Sequence, residues 1–213
     1  GNGREDLFTL DMSGTDHFRQ KTTMGAMSSR KWFLENANPR QYMRNALLMN
    51  EGEDRFREAA YLAGLADSDW GWSPKLEDFD EDGHIDVFLT NGMTRNWTDS
   101  DVVREVDKMA DPADRWRFWM NQPKRSEPNL AFRNLGDLSF KSVGPAWGLD
   151  HVGVSFGAAY ADLDRDGDLD LVVNNFDESP VHDPGIRIIA AENWGWPGEP
   201  HTVLKFNFEL GIR

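Results

Sequence analysis

Hydrophobic positions along this chain fall in short runs rather than long stripes. Two runs are rich in β-branched and aromatic residues: Ile85, Val87, Phe88 and Leu89 in one, and Leu169, Leu171, Val172 and Val173 in the other. Such runs read as strands. Further short strands are predicted near 45–49 and 130–133, near 55–60 and 139–143, and near 70–76 and 154–161. Asn- and Gly-containing turns, Asn50-Glu51-Gly52 and Asn134-Leu135-Gly136, separate the first two of each set. Helical spacing is confined mainly to 92–128. There Thr98, with Asp101 three residues on, reads as an N-cap ahead of Val102, Val103, Val106 and Met109. Asp111-Pro112-Ala113-Asp114 reads as a second helix start, with Trp116, Trp119 and Met120 on one face. Segment 13–42 is less regular and carries Thr15-Asp16-His17 and Arg30-Lys31. The pattern predicts an all-β fold with helical insertions.

The strands belong to an internal repeat with an offset of 84 residues. Asn50, Gly52, Phe56, Gly64 and Leu65 recur as Asn134, Gly136, Phe140, Gly148 and Leu149, and the match runs ungapped to Asn91 and Asn175. Trp72 and Phe156 hold equivalent aromatic positions. Glycines, turn residues and aromatics that recur in step mark one supersecondary unit used twice. Each unit is expected to supply four short strands forming one antiparallel sheet, the size of a β-propeller blade. Such a sheet must stack on neighbours to bury its faces. The expected division is the end of a truncated blade at 1–12, an insertion at 13–42, a blade at 43–91, a helical insertion at 92–128, a blade at 129–177, and an atypical tail at 178–213. The alternating run at 203–208 reads as a strand. The tail is read as a divergent closing strand, a foreign sequence or a frame-shifted one.

Each unit carries the same acidic loop, D-x-D-x-D-G-x-x-D. The first is Asp78, Asp80, Asp82, Gly83 and Asp86; the second is Asp162, Asp164, Asp166, Gly167 and Asp170. Alternate carboxylates in a tight loop repel one another unless a cation sits among them. Oxygen ligands with no Cys, and no His side chain among them, suit Ca²⁺. An EF-hand is excluded, because its twelfth position requires an acid and these loops have Leu89 and Val173 there, inside predicted strands. The expected ligands are the side chains at positions one, three, five and nine, plus a backbone carbonyl at position seven, from His84 and Asp168. The alternative is a pair of solvated acidic turns with no metal; one loop already favours the metal, and two in matching context favour it further. Asn2-Gly3-Arg4-Glu5-Asp6 fits the second half of a third loop, with Asn2 at position five and Asp6 at position nine. This reading expects the chain to begin inside a metal loop, as a fragment, a processed product or an incompletely identified sequence.

The 213 residues carry 37 acids against 23 bases, a net charge of −14. That balance disfavours nucleic-acid backbones and anionic membranes as partners. Cys is absent, so no disulfide or thiol chemistry is available. No apolar run reaches about 18 residues, so no membrane span is expected. The five His are scattered and form no recognisable catalytic pattern. Weak Ca²⁺ modules work where calcium is abundant, which favours an exported protein.

The acidic loop leading into a strand, with Val154-Ser155-Phe156-Gly157-Ala158-Ala159 upstream, resembles the FG-GAP repeat of integrin α-subunit propellers and the VCBS repeats of bacterial exported proteins. The stretches Asp11–His17 and Asn91–Trp97 narrow the likeness to bacterial relatives of cartilage acidic protein, which often carry an ASPIC/UnbV segment. The resemblance covers about Asn2 to Asp177. It implies a secreted, Ca²⁺-stabilised partial propeller for adhesion or assembly, with no catalytic residue to transfer. The metal ligands it implies are Asp78, Asp80, Asp82, Asp86, Asp162, Asp164, Asp166 and Asp170. No ASPIC segment is visible, and the tail departs from the pattern. The expected function is therefore a non-catalytic extracellular calcium-binding module. Its partners would be a protein or glycan on an extracellular surface, further copies of itself, or remaining blades from another chain. Two alternatives are a self-assembling fibre or layer subunit, and a carbohydrate-binding or polysaccharide-active fragment for which nine Trp would supply stacking platforms.

Overall fold

The computed structural model describes residues 3–22, 36, 38, 42–162, 170–178, 184–192 and 202–207. In chain order the elements begin with β1 (Leu7–Thr9), β2 (Met12–Ser13), α1 (His17–Thr22), β3 (Ala46–Gly52), β4 (Arg55–Glu58) and α2 (Ala60–Ala63). Then come β5 (Asp69–Trp70), β6 (Pro74–Glu77), β7 (Asp86–Leu89), α3 (Ser100–Asp107) and α4 (Pro112–Met120). Last are β8 (Glu127–Pro128), β9 (Leu130–Asn134), β10 (Phe140–Ser142), α5 (Gly144–Trp147), β11 (Val152–Gly153), β12 (Ser155–Ala161), β13 (Asp170–Glu178), β14 (Pro184–Glu192) and β15 (Thr202–Asn207). The protein is mostly β, with a few short helices.

Three sheets matter most: β1-β3-β4, β10-β9-β7-β6 and β12-β13-β14-β15. All their pairings are antiparallel. This corrects the expected grouping. The four strands of one sequence unit do not form one sheet. The hairpin around the first acidic loop, β6-β7, pairs instead with the first hairpin of the next unit, β9-β10, through Val87 opposite Phe132 and Leu89 opposite Leu130. Likewise β1 pairs with β3, Leu7 opposite Leu48. The sequence pattern shows which runs are strands but not which run each one neighbours. Two small ribbons, β2-β5 and β11-β8, and an isolated antiparallel bridge between Met93 and Arg125 add to the pairing among the described residues.

Local chemistry shortens two expected strands. The run at 55–60 stops at Glu58 and enters the one-turn helix α2, and the run at 139–143 stops at Ser142 before α5. Each helix ends on a left-handed glycine, Gly64 (φ 77°, ψ 21°) and Gly148 (φ 69°, ψ 19°), a conformation in which a Cβ is strained. Leu65 N–H then bonds back to Ala60 O, and Leu149 N–H to Gly144 O, each at 2.9 Å. The expected strand at 70–76 is two pieces, β5 and β6, which pair with β2 and β7. Between them Trp72 turns its ring edge-on to Phe156, centroids 5.1 Å apart. In the helical insertion the cap of α3 is Asp99, one residue later than expected. Asp99 Oδ1 accepts the N–H groups of Asp101 and Val102 at 2.9 and 3.2 Å. The carboxylate reaches the orphan donors better than a Thr hydroxyl at the previous position can. Helix α4 begins as expected, with Asp111 as cap and Pro112 in the first turn. Of its expected apolar face, Trp119 packs on Trp97 at 4.9 Å, whereas Trp116 is exposed.

The core is layered between the sheets. Phe8, Ala63, Leu65, Val87, Leu89 and Phe132 form one cluster, between the first and second sheets. Phe79, Phe88, Ala131, Val143, Leu149, Leu171 and Val173 form the next, between the second sheet and the sheet containing β13. Both insertions are tied down by charge. Arg19 of α1 bridges Asp69 Oδ2 at 2.5 Å and Glu127 Oε2 at 3.0 Å, and Arg125 reaches Glu127 Oε1 at 2.9 Å. Asp69 and Glu127 are buried, so each carboxylate requires these partners.

Candidate metal site

The loop joining β6 to β7 is built by its own carboxylates. Asp78, just after β6, folds back so that its two oxygens accept Asp82 N–H at 3.0 Å and Gly83 N–H at 2.8 Å. Gly83 has φ 86° and Glu81 φ 57°, the left-handed steps that curl the chain. Asp86, the first residue of β7, is fully buried. Its Oδ2 accepts Phe79 N–H at 3.1 Å, and its Oδ1 accepts Asn134 N–H at 2.8 Å from the neighbouring strand β9. One side chain therefore staples the loop to the next hairpin.

Three of the five first-loop residues named from sequence converge. One oxygen from each of Asp78, Asp80 and Asp86 lies within 4.8 Å of the others. Asp82 does not join them: its Oδ1 accepts His84 N–H at 2.9 Å, and its Oδ2 takes a 2.8 Å bond from Arg133 Nη2. His84 is exposed. Its ring lies against Gly136, where an added Cβ would stand 2.8 Å from Nε2.

Of the second loop, Asp162 and Asp170 are described; Asp164, Asp166 and Asp168 lie outside the described residues, as does Asn2. Asp170 is buried and pairs across the sheet with Ala161, as Asp86 pairs with Glu77. Asp6 repeats the role of Asp86. It accepts Asn50 N–H at 2.7 Å while Asn50 Nδ2 donates to Glu5 O at 3.1 Å. Asn134 makes the same pair of contacts, with Asp86 and with Ile85 O at 2.9 Å.

Electrostatics divide the cluster. Burial pushes the Asp86 carboxyl up to about 6, against the opposing pull of the Asn134 N–H. Burial also raises Asp80, outweighing the attraction of Arg133. Asp82 moves the other way, held low by its hydrogen bond to Arg133. Asp80 Oδ1 is buried and lacks a hydrogen-bond partner. Arg133 Nε stands 2.6 Å from Asp80 Oδ2 as an ion pair, off the line of a directed hydrogen bond. An all-oxygen donor set, an orphaned buried oxygen and carboxylates that burial drives toward neutrality fit a hard divalent cation.

Sequence reasoning missed Arg133. It lies 51 residues from Asp82, and only the β7–β9 pairing brings it to the loop. It serves as a built-in counter-charge. Replacing it, Arg133→Gln, removes one positive charge a few ångströms from the ligand oxygens, worth about 1 kcal/mol in water-like surroundings. Calcium affinity measured by titration calorimetry is expected to rise about fivefold; unchanged or weaker binding would contradict that role.

No protein-family model matches the chain, and no curated protein matches it. Among the described residues no helix is long and apolar enough to cross a membrane.

Proposed function

We propose that this chain is a non-catalytic, exported calcium-binding module of the β-propeller kind, resembling FG-GAP and VCBS repeats, which presents its surface for adhesion, protein interaction or assembly. The observation that carries the reading is the convergence of Asp78, Asp80 and Asp86 around a buried, unpartnered carboxylate oxygen. Layered antiparallel sheets and the matching contacts of Asp6 and Asp86 support it further. Asp78, Asp80 and Asp86 would hold the first ion. Asp82 joins on leaving Arg133, and His84 contributes its backbone carbonyl. Asp162, Asp164, Asp166, Asp168 and Asp170 would serve the second loop. Calcium is favoured over magnesium because several carboxylates crowd one point, whereas Mg²⁺ keeps most of its waters and uses one or two carboxylates. The ion would neutralise the buried charge and lock each hairpin; no step of bond chemistry is assigned to it.

Titration of Ca²⁺ into chelator-stripped protein tests this directly. Two binding events are expected, one of them lost in Asp80→Asn, with Mg²⁺ a poor competitor. Absence of binding up to about 10 mM, beyond the range of weak extracellular modules, would sink the proposal.

A further inference from the structure

Asp69 opens the two-residue strand β5 with a left-handed backbone, φ 57°. A non-glycine residue keeps that conformation where its surroundings over-determine it. Three donors from one short segment do so here. Thr15 N–H donates to Asp69 Oδ1 at 3.0 Å, Thr15 Oγ1 donates to Oδ2 at 2.8 Å, and Arg19 Nη1 donates to Oδ2 at 2.5 Å. Arg19 then spans a second carboxylate from a distant part of the chain. Its Nη2 lies 3.0 Å from Oε2 of Glu127, the first residue of β8. Its Nε lies 3.3 Å from Asp16 Oδ2, within its own segment. Asp69 is 5% and Glu127 4% exposed, whereas the Arg19 side chain is 33% exposed. The carboxylates belong to the framework, and the guanidinium reaches them from outside it.

Arg125 supplies a further positive charge, with Nε 2.9 Å from Glu127 Oε1 and Nη2 3.9 Å from Asp69 Oδ1. Two buried carboxylates thus meet two guanidiniums. Loss of Arg19 leaves two negative charges against one positive, a costly state away from water. The geometry also selects the cation. Two nitrogens of one planar fork contact two different side chains, and an ammonium offers a single nitrogen. Helix α1 depends on this contact more than the framework does. Six residues are too few for a helix to stand alone in water. Among the described residues, neither apolar cluster takes a side chain from α1. Single polar bonds add to its docking: Gln20 Nε2 donates to Gly14 O, and Ser100 Oγ, at the start of α3, donates to Thr22 O, each at 3.0 Å.

We propose that Asp69 and Glu127 form a guanidinium-binding site that Arg19 occupies from within the chain, so that α1 is a strap able to detach while the sheets stay folded. Opening the strap breaks the α1–α3 link and leaves the site to a guanidinium from outside the chain. A surface element held by polar contacts opens at lower free energy than strands buried on both faces. The site uses none of the residues assigned to the acidic loops, so failure of the calcium reading leaves it standing.

Hydrogen exchange on the full chain, read by mass spectrometry, tests the strap. In the wild type, amides of 17–22 are expected to exchange well before those of β7 and β9. Arg19→Ala should speed exchange at 17–22 by at least about tenfold and leave β7 and β9 as they were. Arg19→Lys should resemble Arg19→Ala, because one nitrogen cannot span both carboxylates. Thermal melts test the site, with methylguanidinium chloride as the probe and sodium chloride at the same concentration as the control. Methylguanidinium should restore part of the melting temperature lost in Arg19→Ala and give the wild type no such gain. Wild-type amides of 17–22 that exchange only together with β7 and β9 would overturn the strap, whether or not the variants fold. Equal loosening of α1 and the sheets in Arg19→Ala would do the same. A methylguanidinium response identical in variant and wild type would overturn the site.

Discussion

Stripping calcium from the protein is expected to lower its melting temperature by about 10–20 °C. A ligand that binds only the folded state at about a hundred times its dissociation constant adds roughly 2.7 kcal/mol per site. Two loops then contribute about 5 kcal/mol, and a chain of this size shifts by about 2–4 °C per kcal/mol. In the first loop the proposed ion would act on an arrangement that is unfavourable without it, with Asp86 fully buried and Asp80 carrying an unpartnered oxygen. Asp80→Asn and Asp164→Asn should each remove about half of the calcium-dependent shift. Differential scanning calorimetry in calcium and in EDTA decides it; identical transitions in the two buffers would leave the acidic loops without a structural ion.

The second large effect is an inverted response to pH in the metal-free protein. Asp86 titrates at about 6 in the folded chain and near 3.9 when unfolded. Between those values the folded state holds more protons than the unfolded one, so unfolding free energy falls as pH rises through this window. Above it, burial of the bare carboxylate costs about 3 kcal/mol relative to full protonation. Metal-free protein should therefore gain about 1.5 kcal/mol on going from pH 7.5 to pH 5. Asp80 is raised by burial as well and acts in the same direction. Asp82 and Glu58, both lowered by arginine partners, act oppositely, and their stabilisation is lost as pH falls below the ordinary carboxylate range. Calcium-loaded protein should show the reverse trend between pH 7.5 and 5, because protons compete with the ion for the same oxygens. Urea denaturation at the two pH values, with and without calcium, separates the cases. Asp86→Asn should flatten the metal-free response. A metal-free protein that loses stability on acidification to pH 5 would contradict this account.

The ladder of strands was readable because short β-branched runs and Asn-Gly turns are local signals. The runs at 130–133 and 85–90 became β9 and β7. The start of α4 was readable for the same reason, since Asp111 and Pro112 act within one turn. Helix α2 was not, because its N-cap residue, Ala59, has no capping side chain and the helix is defined by the left-handed Gly64 that ends it. The cap of α3 was misplaced by one residue, since Thr98 and Asp99 are both competent and the backbone turn chooses between them. The buried ion pairs of Arg19, Asp69, Arg125 and Glu127 left no trace in sequence, as their members lie up to about a hundred residues apart and no periodicity links them.

By itself the sequence determined the acidic loops, the glycine that lets the first one curl, and the strands on either side, because carboxylate spacing and side-chain alternation are properties of neighbours along the chain. Only the tertiary structure decided which hairpins share a sheet. Backbone hydrogen bonding is indifferent to side-chain identity, so burial of Val87, Phe88 and Phe132 between layers selected β9 as the partner of β7. That one choice brought Asn134 to Asp86 and set Arg133 against Asp80 and Asp82.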